Sequence, residues 1–186
     1  MEFIFELWLP ILLSAVGVFL VSSVLHMCIP IHKNDYDKLG KEVDVLTALR
    51  ENGVQPGEYM FPAGECMADM KNPEYIAKCD LGPVGFMSIL PSGQWNMGKS
   101  LGQWFAYSVV ISLFTGYVAS FALSESPDFG SVMRLTGTVA MLPYAFANVS
   151  NSIWKGASWW VTSKFVFDGV LYGLATGAVF GWMWPA

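Results

Sequence analysis

Residues 101–123 read LGQWFAYSVVISLFTGYVASFAL and contain no acidic or basic side chain. At about 1.5 Å per residue a helix of this length extends roughly 34 Å, enough to cross a hydrocarbon core about 30 Å thick. Three further runs share the property. Residues 7–27 carry only His26, residues 135–154 carry no charge, and residues 165–186 carry only Asp168. Gly and Pro inside these runs do not argue against helix, because lipid offers the backbone no other hydrogen-bond partner. One buried soluble core has no use for four continuous apolar runs of this length. The fold class expected is therefore an all-α integral membrane protein, a single membrane domain over 1–186 with four transmembrane helices.

The composition agrees. Charged residues make up 13% of the 186, about half their share in a soluble domain, so a solvated surface cannot be the whole exterior. The net charge of −5 gives no reason to expect a nucleic-acid partner. Glu2 and Glu6, with no basic residue beside them, are unlike the start of a cleaved signal peptide, so the first helix is expected to remain in the mature protein.

Alternating the connections between two sides sorts the basic residues nine to one. Lys33, Lys38, Lys41, Arg50, Lys71, Lys78 and Lys99 fall between the first two runs, and Lys155 and Lys164 between the last two. Arg134 alone falls on the opposite side, with Glu125 and Asp128. The positive-inside rule then puts both termini outside, an N-out/C-out topology. Trp8, Trp182 and Trp184 would sit at the outer interface, and Trp104, Trp154, Trp159 and Trp160 at the inner one.

Residues 30–100 are the only extramembrane stretch long enough for structure of its own, and a mostly helical, irregular cytoplasmic segment is expected there. Leu39, Val43, Leu46 and Leu49 repeat at the helical period and predict an amphipathic helix over 37–52, stopped by Gly53. Asn72 and Pro73 read as a cap and first helical residue, and 85–90 as a short strand. Residues 93–100, GQWNMGKS, match the phosphate-loop pattern literally. Their context is wrong: a phosphate loop needs a parallel sheet before it, whereas this lysine stands at the start of a membrane span.

In the last run Gly169, Gly173, Gly177 and Gly181 recur every fourth residue, a groove that invites a neighbouring helix. Ser108, Ser112, Gly116 and Ser120 form a matching small-residue ladder in the second run. A polar set also falls at one depth, the cytoplasmic half: Ser22, His26, Gln103, Tyr107, Asn148, Asn151, Lys155, Asp168 and Tyr172. These side chains can line a small inward pocket, or serve as interhelical hydrogen bonds and interface groups. Asp168 is expected to anchor the start of the fourth helix, its charge on the positive end of the helix dipole and Lys164 leaning toward it.

His26, Cys28 and His32 are the candidates for metal ligation. No tight C-x-x-C or H-E-x-x-H spacing accompanies them, and Pro30 breaks the helical register between Cys28 and His32. The expectation is no metal and no cofactor. No nucleophile, base and orienting group can be assembled from sequence order, which favours a role other than catalysis.

Residues 53–62 (GVQPGEYMFP), 82–87 (GPVGFM) and 151–156 (NSIWKG) resemble those of a family of small bacterial integral membrane proteins known only as hypothetical. The resemblance implies a bacterial inner (cytoplasmic) membrane and no activity. The small-residue ladders favour a helix-packing accessory or structural subunit, whose partners would be the bilayer and another membrane protein or a second copy. The alternatives are a small-ligand binding or transport component using the polar set, and a membrane enzyme or metal/redox protein.

Overall fold

The structure is a computed structural model describing residues 2–185. Met1 and Ala186, the ends of the expected 1–186 domain and, for Ala186, of the expected fourth span, lie outside the described residues. Two compact units divide the chain: one runs up to Tyr36 and resumes at Asn96, and the other is Asp37–Trp95.

The first unit is a helical bundle. Helix α1 (Phe3–Ser23) continues into a single π-helical turn (Val24–Cys28), closed by the Ile29 amide donating to the Val24 carbonyl at 3.1 Å. Pro30 explains the ending. It has no amide to donate and it pushes Ile29 out of the helical region, to φ −101° and ψ 124°. A 3₁₀ turn (Pro30–His32) then leads out of the bundle.

Helix α4 (Met97–Ala122) is capped by Asn96, whose side chain accepts from the Lys99 amide. Helix α5 (Phe129–Phe146) is capped by Asp128, which accepts from both the amide and the hydroxyl of Ser131. A short helix α6 (Val149–Lys155) ends at Gly156 in the left-handed region, and α7 (Trp159–Met183) closes the unit. Three helical stretches, Phe3–Cys28, Met97–Ala122 and Trp159–Met183, are long and apolar enough to cross a membrane.

The expected continuous span over 135–154 is corrected. Here the chain forms two helices, α5 and α6, broken at Ala147 and Asn148. Pro143 lies inside α5 and withholds one amide from the ladder, and the helix ends three residues later. Neither α5, with 18 residues, nor α6, with 7, is among the three stretches long and apolar enough to cross a membrane. The other spans begin earlier than expected, α7 by six residues.

Packing of α7 on α5 is close. A β-carbon added at Gly169 would lie 2.3 Å from the Ala145 backbone, one at Gly173 2.8 Å from the Gly137 carbonyl, and one at Gly177 2.7 Å from the Met133 carbonyl. At Gly181 it would meet the Phe129 ring at 2.7 Å. The glycine face of α7 is therefore filled by α5 and not by α4. On α4, Ser108 and Ser112 are buried and Gly116 faces Ile11 and Phe180, while Ser120 is exposed and bonds its own helix at Tyr117. Ser112 is reached from α1 by the Ser14 hydroxyl at 3.0 Å. Two apolar clusters fill the bundle: Leu7, Ile11, Val132 and Phe180 in one, and Val18, Leu25, Ile111, Ala140, Tyr144 and Tyr172 in the other.

The unit Asp37–Trp95 holds α2 (Glu42–Glu51), β1 (Gly57–Phe61), α3 (Pro73–Leu81) and β2 (Gly85–Ile89). Asn72 caps α3 through the Glu74 amide. The amphipathic helix is shorter than the expected 37–52. Strand β1 was not expected at all, and it pairs antiparallel with β2 from Gly57↔Ile89 to Phe61↔Gly85. The strand preceding the GQWNMGKS stretch thus belongs to a two-stranded antiparallel sheet, not to the parallel sheet a phosphate loop requires.

Candidate metal centre

The π turn and the 3₁₀ turn beyond α1 set two imidazoles face to face. His26 and His32 stack with ring centroids 4.2 Å apart and planes 4° from parallel, and Phe165 of α7 packs 5.3 Å from the His32 ring. A π turn inserts one residue into the ladder and rotates the chain beyond it, a device that recurs at functional sites. Asp168 enters from the middle of α7. Its Oδ2 is 2.9 Å from His32 Nε2 and 3.9 Å from His26 Nε2.

Neighbours fix each imidazole. His26 Nδ1 lies 3.1 Å from the Ser22 carbonyl, an acceptor only, so Nδ1 carries the proton and Nε2 presents its lone pair. His32 Nδ1 lies 2.6 Å from Asp35 Oδ2, and Lys164 Nζ donates to Asp35 Oδ1 at 2.6 Å. Burial raises the affinity of Asp35 for its proton. Hydrogen bonds from Lys164 and His32, with their charges, outweigh that and hold its carboxyl below the usual range. The order Lys164–Asp35–His32 leaves His32 Nε2 facing Asp168, the carboxylate–histidine arrangement that orients metal ligands.

Asp168 Oδ1, Asp168 Oδ2 and His32 Nε2 are buried and have no hydrogen-bond partner among the described residues. The short His32–Asp168 approach is an ion-pair distance without hydrogen-bond alignment. Atoms of this kind in an interior require a cation, a proton or water. One ligand atom from each of His26, His32 and Asp168 lies within 4.8 Å of the others. A tetrahedral centre with bonds of about 2.1 Å spaces its ligands about 3.4 Å apart. To close that gap His26, whose side chain is 41% exposed, would turn out of its stack on His32. Two imidazole nitrogens and one carboxylate oxygen suit a divalent first-row metal and leave coordination positions open.

The expectation of no metal and no cofactor is corrected by this cluster. Cys28 is exposed and stands outside it. The reading of Asp168 as a helix-start anchor is also corrected: α7 begins at Trp159, so Asp168 lies well inside the helix, and Lys164 pairs with Asp35 instead. Of the remaining polar set, Ser22 accepts from Trp104 Nε1 at 2.9 Å. Tyr107 and Tyr172 join Trp104 and Tyr144 in an aromatic cluster. Gln103 and Lys155 are exposed, Asn148 lies in the α5–α6 break and Asn151 in the first turn of α6. None of these residues touches the His–Asp group through a hydrogen bond between side chains among the described residues. Asp35 was missed. Its one signal in the sequence is the His-x-x-Asp spacing after a helix end, easily read as solvated loop.

Comparison with protein-family models, with curated proteins and with solved structures gave no match.

Proposed function

We propose that this chain is a multi-pass membrane metalloprotein that holds one divalent first-row transition metal at the end of its bundle. His26, His32 and Asp168 would be the ligands, with Asp35 and Lys164 behind His32. The observation that carries the reading is the convergence of ligand atoms from His26, His32 and Asp168, with His32 Nε2 and both Asp168 oxygens buried outside any aligned hydrogen bond among the described residues. Without thiolate among the ligands, soft monovalent metals are poorly matched.

Four spans with both termini outside, in a bacterial inner membrane, complete the proposal, α5 and α6 together serving as the third. It draws on the nine-to-one distribution of basic residues and on the resemblance described above. The site then lies on the cytoplasmic side. Leu7, Ile11, Val132 and Phe180, all at least 95% buried, plug the opposite end, which favours a resident metal over a conducted one. The buried Thr115, Thr136 and Thr176 return their hydroxyls to their own helices and form no polar track. The accessory-subunit reading loses its main support, since α5 of the same chain fills the glycine face.

Open coordination positions and an exposed His26 edge fit Lewis-acid chemistry or ligand exchange better than a closed structural site. Metal analysis of natively purified protein, with equilibrium dialysis against Zn²⁺, Co²⁺ and Fe²⁺, tests the reading. One equivalent bound by wild type and none by His32→Ala is expected. Wild type that binds none of the three would reduce the cluster to a buried ion-pair network.

A further inference from the structure

Residues 29–36 join the π turn of α1 to the unit Asp37–Trp95, and little besides the site holds them down. Lys33, Asn34 and Tyr36 are exposed, and the inward side chains are Ile31, His32 and Asp35. Their own backbone support is slight: the Lys33 and Asp35 amides make long hydrogen bonds of 3.4 and 3.3 Å, to Pro30 and His32. Two polar attachments tie the segment to α7. His32 meets Asp168 and Asp35 meets Lys164, at α7 positions four residues apart and so one turn apart on one face.

We propose that residues 29–36 form a metal-gated strap. A divalent cation shared by His26, His32 and Asp168 pins the strap to α7; without it the strap is held only by the His32–Asp168 and Asp35–Lys164 pairs and lifts more often. This rests on the metal-site reading above.

The argument is one of polar satisfaction. With the strap closed, His32 Nε2 and both Asp168 oxygens are buried outside any aligned hydrogen bond among the described residues. A cation satisfies them in the closed state, and lifting the strap satisfies them by admitting water. Since the cation needs His32 and Asp168 together, it binds the closed state alone and draws the equilibrium toward it by mass action. The Asp35–Lys164 pair is a second attachment that needs no metal. Both side chains are at least nine-tenths buried, so salt screens the pair weakly.

Hydrogen exchange read by mass spectrometry on full-length protein in lipid nanodiscs tests the strap, with Zn²⁺ alone as the probe and zinc binding measured in parallel by equilibrium dialysis. In wild type, saturating Zn²⁺ should slow exchange across 29–36 by about tenfold or more and leave α4 peptides unchanged. Lys164→Met should exchange faster than wild type when metal-free and regain protection with Zn²⁺. Asp168→Asn should show no zinc effect. If zinc binds at one equivalent and exchange in 29–36 does not change, the strap is wrong while the metal site stands. If dialysis finds no bound zinc, and Co²⁺ and Fe²⁺ do not bind either, the metal reading fails and the strap with it.

Discussion

His32 Nε2 and Asp168 Oδ2 stand 2.9 Å apart, both buried, at ion-pair distance. A cation bound between them and His26 would satisfy both. Asp168→Asn keeps the volume and removes the charge. It should lower affinity for a divalent metal by about 100-fold or more, while helix content by circular dichroism stays as in wild type. Cys28→Ser is the matched control: the thiol is exposed and outside the ligand group, so affinity should not change. A loss in Cys28→Ser equal to that in Asp168→Asn would mean the ligands are misassigned.

Behind His32, Asp35 holds the Nδ1 proton and Lys164 holds Asp35. Outer partners of this kind are worth about 10–100-fold in metal affinity when removed. Asp35→Asn and Lys164→Met should each fall in that range, and the double variant should lose little more than either alone, because both act through one imidazole. Additive losses in a competition titration would show that Lys164 acts on the site independently.

The long apolar helices are legible in the sequence because a missing charge needs no structural context to be noticed. The break in the third apolar run is not: proline is tolerated in membrane helices, so Pro143 gives no warning that α5 stops at Phe146. The start of α7 is hidden for a related reason, since Trp159 to Lys164 has the aromatic and basic character of an interface and reads as connection. Starting the helix six residues late puts Asp168 at its terminus and pairs it with Lys164. The His–His–Asp cluster is less legible still. His26 and His32 are separated by Pro30, and a π turn with a 3₁₀ turn after it stacks their rings. No repeat in the sequence encodes that pair of turns.

Gly169 offers a direct measure of the α5–α7 contact. A β-carbon there meets backbone atoms of Ala145 at 2.3 Å, which no side-chain rotation can relieve, whereas one at Gly102 has nothing within 4 Å. Gly169→Ala should destabilise the detergent-solubilised protein by about 1–3 kcal/mol. Gly102→Ala, also in a helix, should be neutral or slightly stabilising. Equal melting temperatures for the two variants would contradict the packing.

The Asp35–Lys164 pair has a defined pH window. The carboxyl is held below the ordinary aspartate value of 3.8 in the folded protein. Its contribution is therefore complete above that value and is lost as pH falls through the depressed one. The difference in melting temperature between wild type and Asp35→Asn should persist from neutral pH down to about 4 and shrink only in stronger acid. A difference already gone at about pH 5.5 would mean that Asp35 is not held in its charged form by Lys164 and His32.

Topology can be read from a thiol already in the chain. Cys66 is exposed in the unit Asp37–Trp95, which lies in sequence between the first two stretches long and apolar enough to cross a membrane. The basic residues Lys33, Lys38, Lys41, Arg50, Lys71, Lys78 and Lys99 favour the cytoplasmic side for this stretch of chain. In a variant with Cys28→Ser and Cys79→Ser, a membrane-impermeant maleimide should leave Cys66 unmodified in intact cells and modify it once the membrane is opened. A cysteine introduced at Glu125 should give the opposite pattern, because the α4–α5 connection would face outward. Modification of Cys66 in intact cells would invert the topology and move the metal site to the outer face, where the metal would have to be captured from outside the cell.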